Sequence, residues 1–178
     1  MSPPTRPPHR RGISLLEVLI ALAIVTVLAA LLLPVIGKTR ASARSMQCIS
    51  TLRQLQVAFQ LYAGDHRLYL PDPTFTDKSW EQLLLPYFTG SFACPADTEL
   101  APTVGSSYDW RDTGNPATTL AGRMLPAVGR TEAVLAFEAL PGWHAARRIN
   151  VVRFDGSAAT LTDDACFADL AKPITNGR

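Results

Sequence analysis

The chain has 178 residues, 47% of them hydrophobic and 18% charged, with a formal net charge of +2 at neutral pH. Three of its 17 basic side chains, Arg6, Arg10 and Arg11, fall in the first twelve residues, which leaves 14 basic against 15 acidic side chains in the remainder. No stripe of Lys and Arg interleaved with aromatics survives that count, so no nucleic-acid partner is expected, and the length leaves room for one modest domain besides a membrane segment.

Residues 1–12 are polar, broken by prolines and basic, and they end in Arg10-Arg11-Gly12. Ile13-Ser14-Leu15-Leu16-Glu17 follows, and from Val18 to Ile36 the chain is apolar and carries no charge. An ordinary secretory signal has its small-residue cleavage site after the apolar run, whereas Gly12 precedes it. A cut at Gly12 would leave the membrane helix on the product. Glu17 stands at the threshold of that helix, and a carboxylate in hydrocarbon costs about 2.5 kcal/mol at the helix centre and less near an end. Two physical roles fit it. It could neutralise the new amine at Ile13 of a neighbouring subunit, so that both charges find partners only in an assembly, or it could stabilise its own helix N-terminus through the helix dipole.

The basic residues, Gly12, Ile13, Glu17 at the fourth position after Ile13, and Pro34 deep in the apolar run together resemble the type IV prepilin signature shared by pilins and type II secretion pseudopilins. The chain departs from the commonest form in having Ile13 where Phe is usual and Ser14 where Thr is frequent. The resemblance implies cleavage between Gly12 and Ile13 by a prepilin peptidase, methylation of Ile13 and an assembly role for Glu17. It further implies that local melting of the helix at Pro34 accompanies packing into a filament; a tolerated membrane proline is the plainer alternative. Topology by charge is a tie, since Arg6, Arg10 and Arg11 precede the span and Lys38, Arg40 and Arg44 follow it. The resemblance breaks the tie in favour of a cytoplasmic leader, an inner-membrane anchor and a periplasmic head.

From Ile13 to about Ala63 the pattern predicts one long helix, near 75 Å at about 1.5 Å per residue. Cys48, Leu52, Leu55, Phe59 and Tyr62 recur at spacings of three and four, a stripe that should pack on a small sheet. Gly64-Asp65 is expected to close the helix as a glycine C-cap. Between His66 and Glu99, prolines 71, 73, 86 and 95 predict loops around a short helix from Ser79 to Tyr87. Cys48 and Cys94-Pro95 resemble the cysteine placement of many pseudopilin-like proteins, which implies a Cys48–Cys94 bridge and a free Cys166; spacing alone leaves the connectivity open.

Strands are predicted at Ser106–Trp110, Ala133–Glu138, Ile149–Phe154 and Ala158–Thr162, forming an antiparallel meander with a tight turn at Asp155-Gly156-Ser157. His144, Asp155 and Gly156 also resemble a His-to-Asp-Gly pattern of some prepilin-like proteins, here with one residue more between them. His66, His144, Cys94, Cys166, Asp155, Asp163 and Asp164 form no nucleophile or zinc motif of recognised spacing, so no enzyme and no cofactor are expected. Calcium is a secondary candidate through Asp109, Asp112 and Asn115 in one loop and Asp163 and Asp164 in another, although neither matches an EF-hand and solvated turns are the plainer reading.

These features assemble into an α+β, pilin-like reading: a leader over 1–12, a membrane and assembly segment over 13–37, and a head over 38–178. The expected function is that of a structural subunit of a short filament, a type II secretion-like pseudopilin before an adhesive or DNA-uptake pilin. Its partners would be the prepilin peptidase, other pilin or pseudopilin subunits, and an inner-membrane assembly platform. The alternative is a membrane-anchored extracytoplasmic binding module that does not polymerise.

Overall fold

The computed structural model describes residues 15–175. Helix α1 spans Leu15–Asp65, and the boundary between the chain's two compact units falls inside it, between Arg40 and Ala41. In the first unit the Leu, Ile and Val side chains from Leu15 to Ile36 are all exposed. Among the described residues, α1 is the one helix long and apolar enough to cross a membrane. A row of exposed aliphatic side chains on every face is what lipid or neighbouring helices would cover.

The second unit is built on the other half of α1. Cys48, Leu52, Leu55, Phe59 and Tyr62 are buried, as their spacing predicts, while Gln47, Arg53, Gln54 and Gln60 are exposed. Burying each of Leu52, Leu55 and Phe59 stabilises the fold by about 2 kcal/mol. The expected cap at Gly64-Asp65 is corrected: both residues remain helical, and the left-handed positions are Arg67 (φ 54°) and Leu68 (φ 67°). The Leu68 N–H donates to the Ala63 carbonyl at 2.8 Å, the six-to-one closure of a Schellman turn. His66 lies flat on Tyr62, ring centroids 3.8 Å apart, which holds the last turn together beyond the glycine.

Helix α2 (Trp80–Leu84) is shorter than predicted, with Ser79 as its N-cap in a capping box with Gln82. Trp80 and Leu84 enter the core, where Trp80 and Trp110 both stack near Phe59. A one-turn helix α3 (Leu100–Val104) follows and ends at Gly105. The sheet then runs as a meander β1-β2-β3-β4 through β1 (Tyr108–Trp110), β2 (Val134–Glu138), β3 (Arg148–Arg153) and β4 (Ala158–Thr162), all pairs antiparallel. The four predicted strands are these, displaced by at most two residues at their ends. The β3–β4 turn is the predicted one: the Gly156 N–H donates to the Arg153 carbonyl, and Gly156 takes φ 85°. A long helix with a small antiparallel four-stranded sheet is the pilin-like α+β architecture expected from the sequence.

The sheet buries both faces. Leu135, Ala136 and Val152 join the core that contains the α1 stripe, and Val134, Phe137, Ile149 and Val151 pack with Cys166 on the other side. A register irregularity between Val134 and Ala136 lets Val134 and Phe137 share a face despite their odd spacing. The second face is covered by helix α4 (Asp163–Leu170), N-capped by Thr162. This helix replaces the loop expected to hold Asp163 and Asp164, which instead occupy its first turn, where the helix dipole favours acidic residues.

Arg111 docks α4. Its guanidinium is fully buried and donates to the carbonyls of Asp169, Leu170 and Lys172, at and just beyond the end of the helix, and to Asp169 Oδ2 at 3.0 Å. Burial pushes the Asp169 carboxyl up, but the Val134 N–H, Arg130 and Arg111 outweigh it and hold the group below its ordinary value. A depressed native carboxyl contributes stability that is present above the unfolded-state value and lost as pH falls through the native one. We expect Asp169→Asn to cost about 3 kcal/mol at neutral pH, because it strands the buried Arg111, and to flatten the acid limb of stability. Denaturant melts at neutral and acidic pH check both.

Candidate functional site

Two regions carry chemistry. The first is the start of α1. Gly12 and Ile13 lie outside the described residues; Glu17 occupies the first turn of α1 and is exposed, and Pro34 lies within the continuous helix. In that position Glu17 is placed to interact favourably with the helix dipole, and the exposed aliphatic run begins beside it.

The second region lies inside the head. Cys48 of α1 and Cys94 of the loop before α3 are joined in a disulfide, with Cα atoms 5.7 Å apart. Cys94 is held by its surroundings: its N–H donates to Ser107 Oγ at 2.9 Å, and Ser107 in turn donates to Asp97 at 2.6 Å. The Asp97 carboxylate also accepts from the N–H groups of Glu99, Leu100 and Ala101. Partial burial raises the Asp97 carboxyl, but the Ser107 hydroxyl and these amides outweigh it, and the group sits below its ordinary value.

His144, in the β2–β3 loop, reaches the same place, with Nε2 3.3 Å from Cys94 Sγ and 3.0 Å from Glu138 Oε1. Glu138 ends β2, and its side chain is 1% exposed. Its Oε2 accepts the Asn150 N–H at 2.9 Å, and Oε1 accepts the Asn150 amide at 3.1 Å. Asn150 is itself fixed by Thr160, which donates to Oδ1, and by Ser45, whose Oγ accepts from Nδ2. Burial pushes the Glu138 carboxyl up, opposed by Asn150 and His144.

Cys94 and His144, both singled out in the sequence, are thus brought together, with Cys48 beside them. Glu138 was missed, because a lone glutamate at the end of an apolar strand carries no motif. The remaining candidates lie apart. Asp155 forms the hairpin turn and accepts from the Ser157 N–H. Cys166 is on the buried face of α4, packed against the sheet, and burial together with Asp169 pushes its thiol up to about 12.

The acidic groups weighed for calcium have protein partners. Asp163 and Asp164 pair with Arg147, which holds the Asp163 carboxyl below its ordinary value. Asp109 belongs to β1 rather than to the loop of Asp112 and Asn115, and it accepts from the Trp110 N–H. Asp112 accepts from Thr119, and Asn115 accepts from the Ala117 N–H.

Residues 7–33 match the family model described as the prokaryotic N-terminal methylation motif. The chain therefore carries the prepilin-type signature, and the match spans the basic residues Arg10 and Arg11, Gly12 and most of the apolar run. No curated protein and no solved structure matches the chain.

The disulfide closes a long loop, and its reduction in metal-free buffer should lower the stability of the head by about 2–4 kcal/mol. Alkylation of the native protein followed by intact-mass analysis should leave Cys166 unmodified with or without reductant, and label it only after unfolding.

Proposed function

We propose that this protein is a prepilin-type structural subunit, processed between Gly12 and Ile13 and assembled into a filament through the first half of α1. The observation that carries this reading is the coincidence of the methylation motif at residues 7–33 with a helix whose aliphatic side chains are exposed on every face. A prepilin peptidase would release residues 1–12 and methylate Ile13, and neighbouring helices would then cover the exposed rows. Glu17 would accept the Ile13 amine of an adjacent subunit, which turns subunit entry into a charge-matching step. The head would face the periplasm, where its disulfide suits an oxidising compartment. A near-neutral head without a basic stripe favours a secretion-type pseudopilin over a DNA-uptake pilin, and a mechanical role over catalysis.

Mass spectrometry of the amino terminus of membrane-purified protein tests the processing. Methylated Ile13 in cells with the peptidase and an intact leader in cells without it is the expected pair of results; an intact leader in both would remove the reading. Glu17→Ala should leave membrane insertion unchanged and abolish incorporation into sheared filaments. A mutant that is incorporated normally would assign Glu17 to its own helix dipole.

A further inference from the structure

The Cys48, Cys94, Glu138 and His144 cluster contains more than a structural disulfide needs. A buried bridge is satisfied by apolar neighbours, yet this one is faced by a buried imidazole and a buried carboxylate, each costly to desolvate. One atom from each of the four side chains lies within 4.8 Å of all the others. The four come from α1, the Cys94 loop, the end of β2 and the β2–β3 loop, so only the tertiary fold collects them. His144 Nε2 points at both a sulfur and a carboxylate oxygen, which is the convergence of donors on one point rather than the two-ended relay of a nucleophile, base and orienting acid.

The supporting contacts have the same character. Asn150 holds the Glu138 carboxylate, Thr160 holds Asn150, and Ser107 holds the backbone of Cys94. Metal ligands are oriented by a surrounding layer of this kind.

We propose that with the bridge reduced these four side chains form a binding site for a thiophilic divalent cation of the zinc type, and that the disulfide is the metal-free form of the same site. Two thiolates, one imidazole and one carboxylate are ligands that zinc takes in a four-coordinate tetrahedral arrangement. With Cα atoms 5.7 Å apart, side-chain rotation is enough to part the sulfurs around an ion. Three anionic ligands offset most of their mutual repulsion on a 2+ charge, which also accounts for a buried carboxylate that, among the described residues, has His144 rather than Lys or Arg as its ion-pair partner. The interconversion balances with a dithiol as reductant: the dithiol gives two electrons and two protons to the bridge and itself becomes a disulfide, and metal entry releases the two thiol protons to solvent. Exchange in the opposite direction, with a small-molecule disulfide as the two-electron oxidant, closes the bridge, releases the ion and returns that oxidant as its dithiol, which takes up two protons. The proposal does not depend on filament assembly, since a chain that fails to polymerise can still bind the ion.

The test uses the full chain in detergent, stripped of metal and reduced with a phosphine, and titrated with Co(II) as a spectroscopic substitute for zinc. The expected result is one Co(II) per chain with thiolate-to-cobalt charge-transfer absorption and tetrahedral d–d bands, displaced by zinc. Zinc should raise the melting temperature of the reduced protein and leave that of the oxidised protein unchanged. His144→Gln should weaken Co(II) binding by roughly tenfold or more, and a melt of its oxidised form shows whether the fold survives the change. If the reduced wild-type chain takes up less than one equivalent, or if the spectrum lacks the thiolate band, the proposal is overturned. Binding by a folded His144→Gln as tight as wild type would also overturn the four-ligand site.

Discussion

The burial of one stripe of α1, from Cys48 to Ala63, is the constraint on which the head depends. Among the described residues α1 is the one long helix, and its second half supplies a continuous row of apolar side chains to the larger core. Trp80 of the proline-rich middle segment and Trp110 of β1 come to this row and stack at Phe59. The sheet reaches it through Leu135, Ala136 and Val152, and Gln56 ties it to the β3–β4 hairpin by donating to the Phe154 carbonyl at 3.1 Å. A meander of short strands is marginal alone; packed on a preformed helix face it gains most of its apolar burial at once.

The second face of the sheet depends on a different kind of contact. Helix α4 is eight residues long, too short to be stable by itself. Its apolar contribution is modest, and Arg111 compensates by satisfying the carbonyls at its end while pairing with Asp169. A buried charge of this sort is a poor source of net stability but a strong source of specificity, since any other seat for α4 leaves a guanidinium unpaired. The same group therefore sets where the chain's C-terminal segment lies and protects Cys166 from solvent.

The cysteine cluster applies similar logic to chemistry. Cys48 is placed by the α1 stripe, Cys94 by the Ser107 and Asp97 network, and Glu138 by Asn150 across the β2–β3 pair. Each position is the by-product of an element needed for the fold, and together they produce a polar centre inside the core. The first half of α1 and the head thus serve separate purposes: one is an exposed aliphatic helix that bears the methylation motif, the other a closed domain with its own buried donor set.

What the sequence determined by itself was local or periodic. The Gly12, Ile13 and Glu17 spacing identified the prepilin signature, the three- and four-residue spacing gave the buried face of α1, and short apolar, aromatic or β-branched runs bounded by turn residues located all four strands. These signals come from short-range backbone geometry and from the period of a single element, and they need no knowledge of neighbours. The helix C-terminus was displaced because the Tyr62–His66 stack and the Ala63–Leu68 hydrogen bond outweighed the glycine. Helix α4 was missed because eight residues opening on two aspartates read as a turn until Thr162 is seen to cap them. Only the tertiary structure could decide the partners of Arg111 and the meeting of Cys48, Cys94, Glu138 and His144. Those side chains stand far apart in sequence, and their proximity is set by strand pairing and core packing, which impose no spacing on the chain.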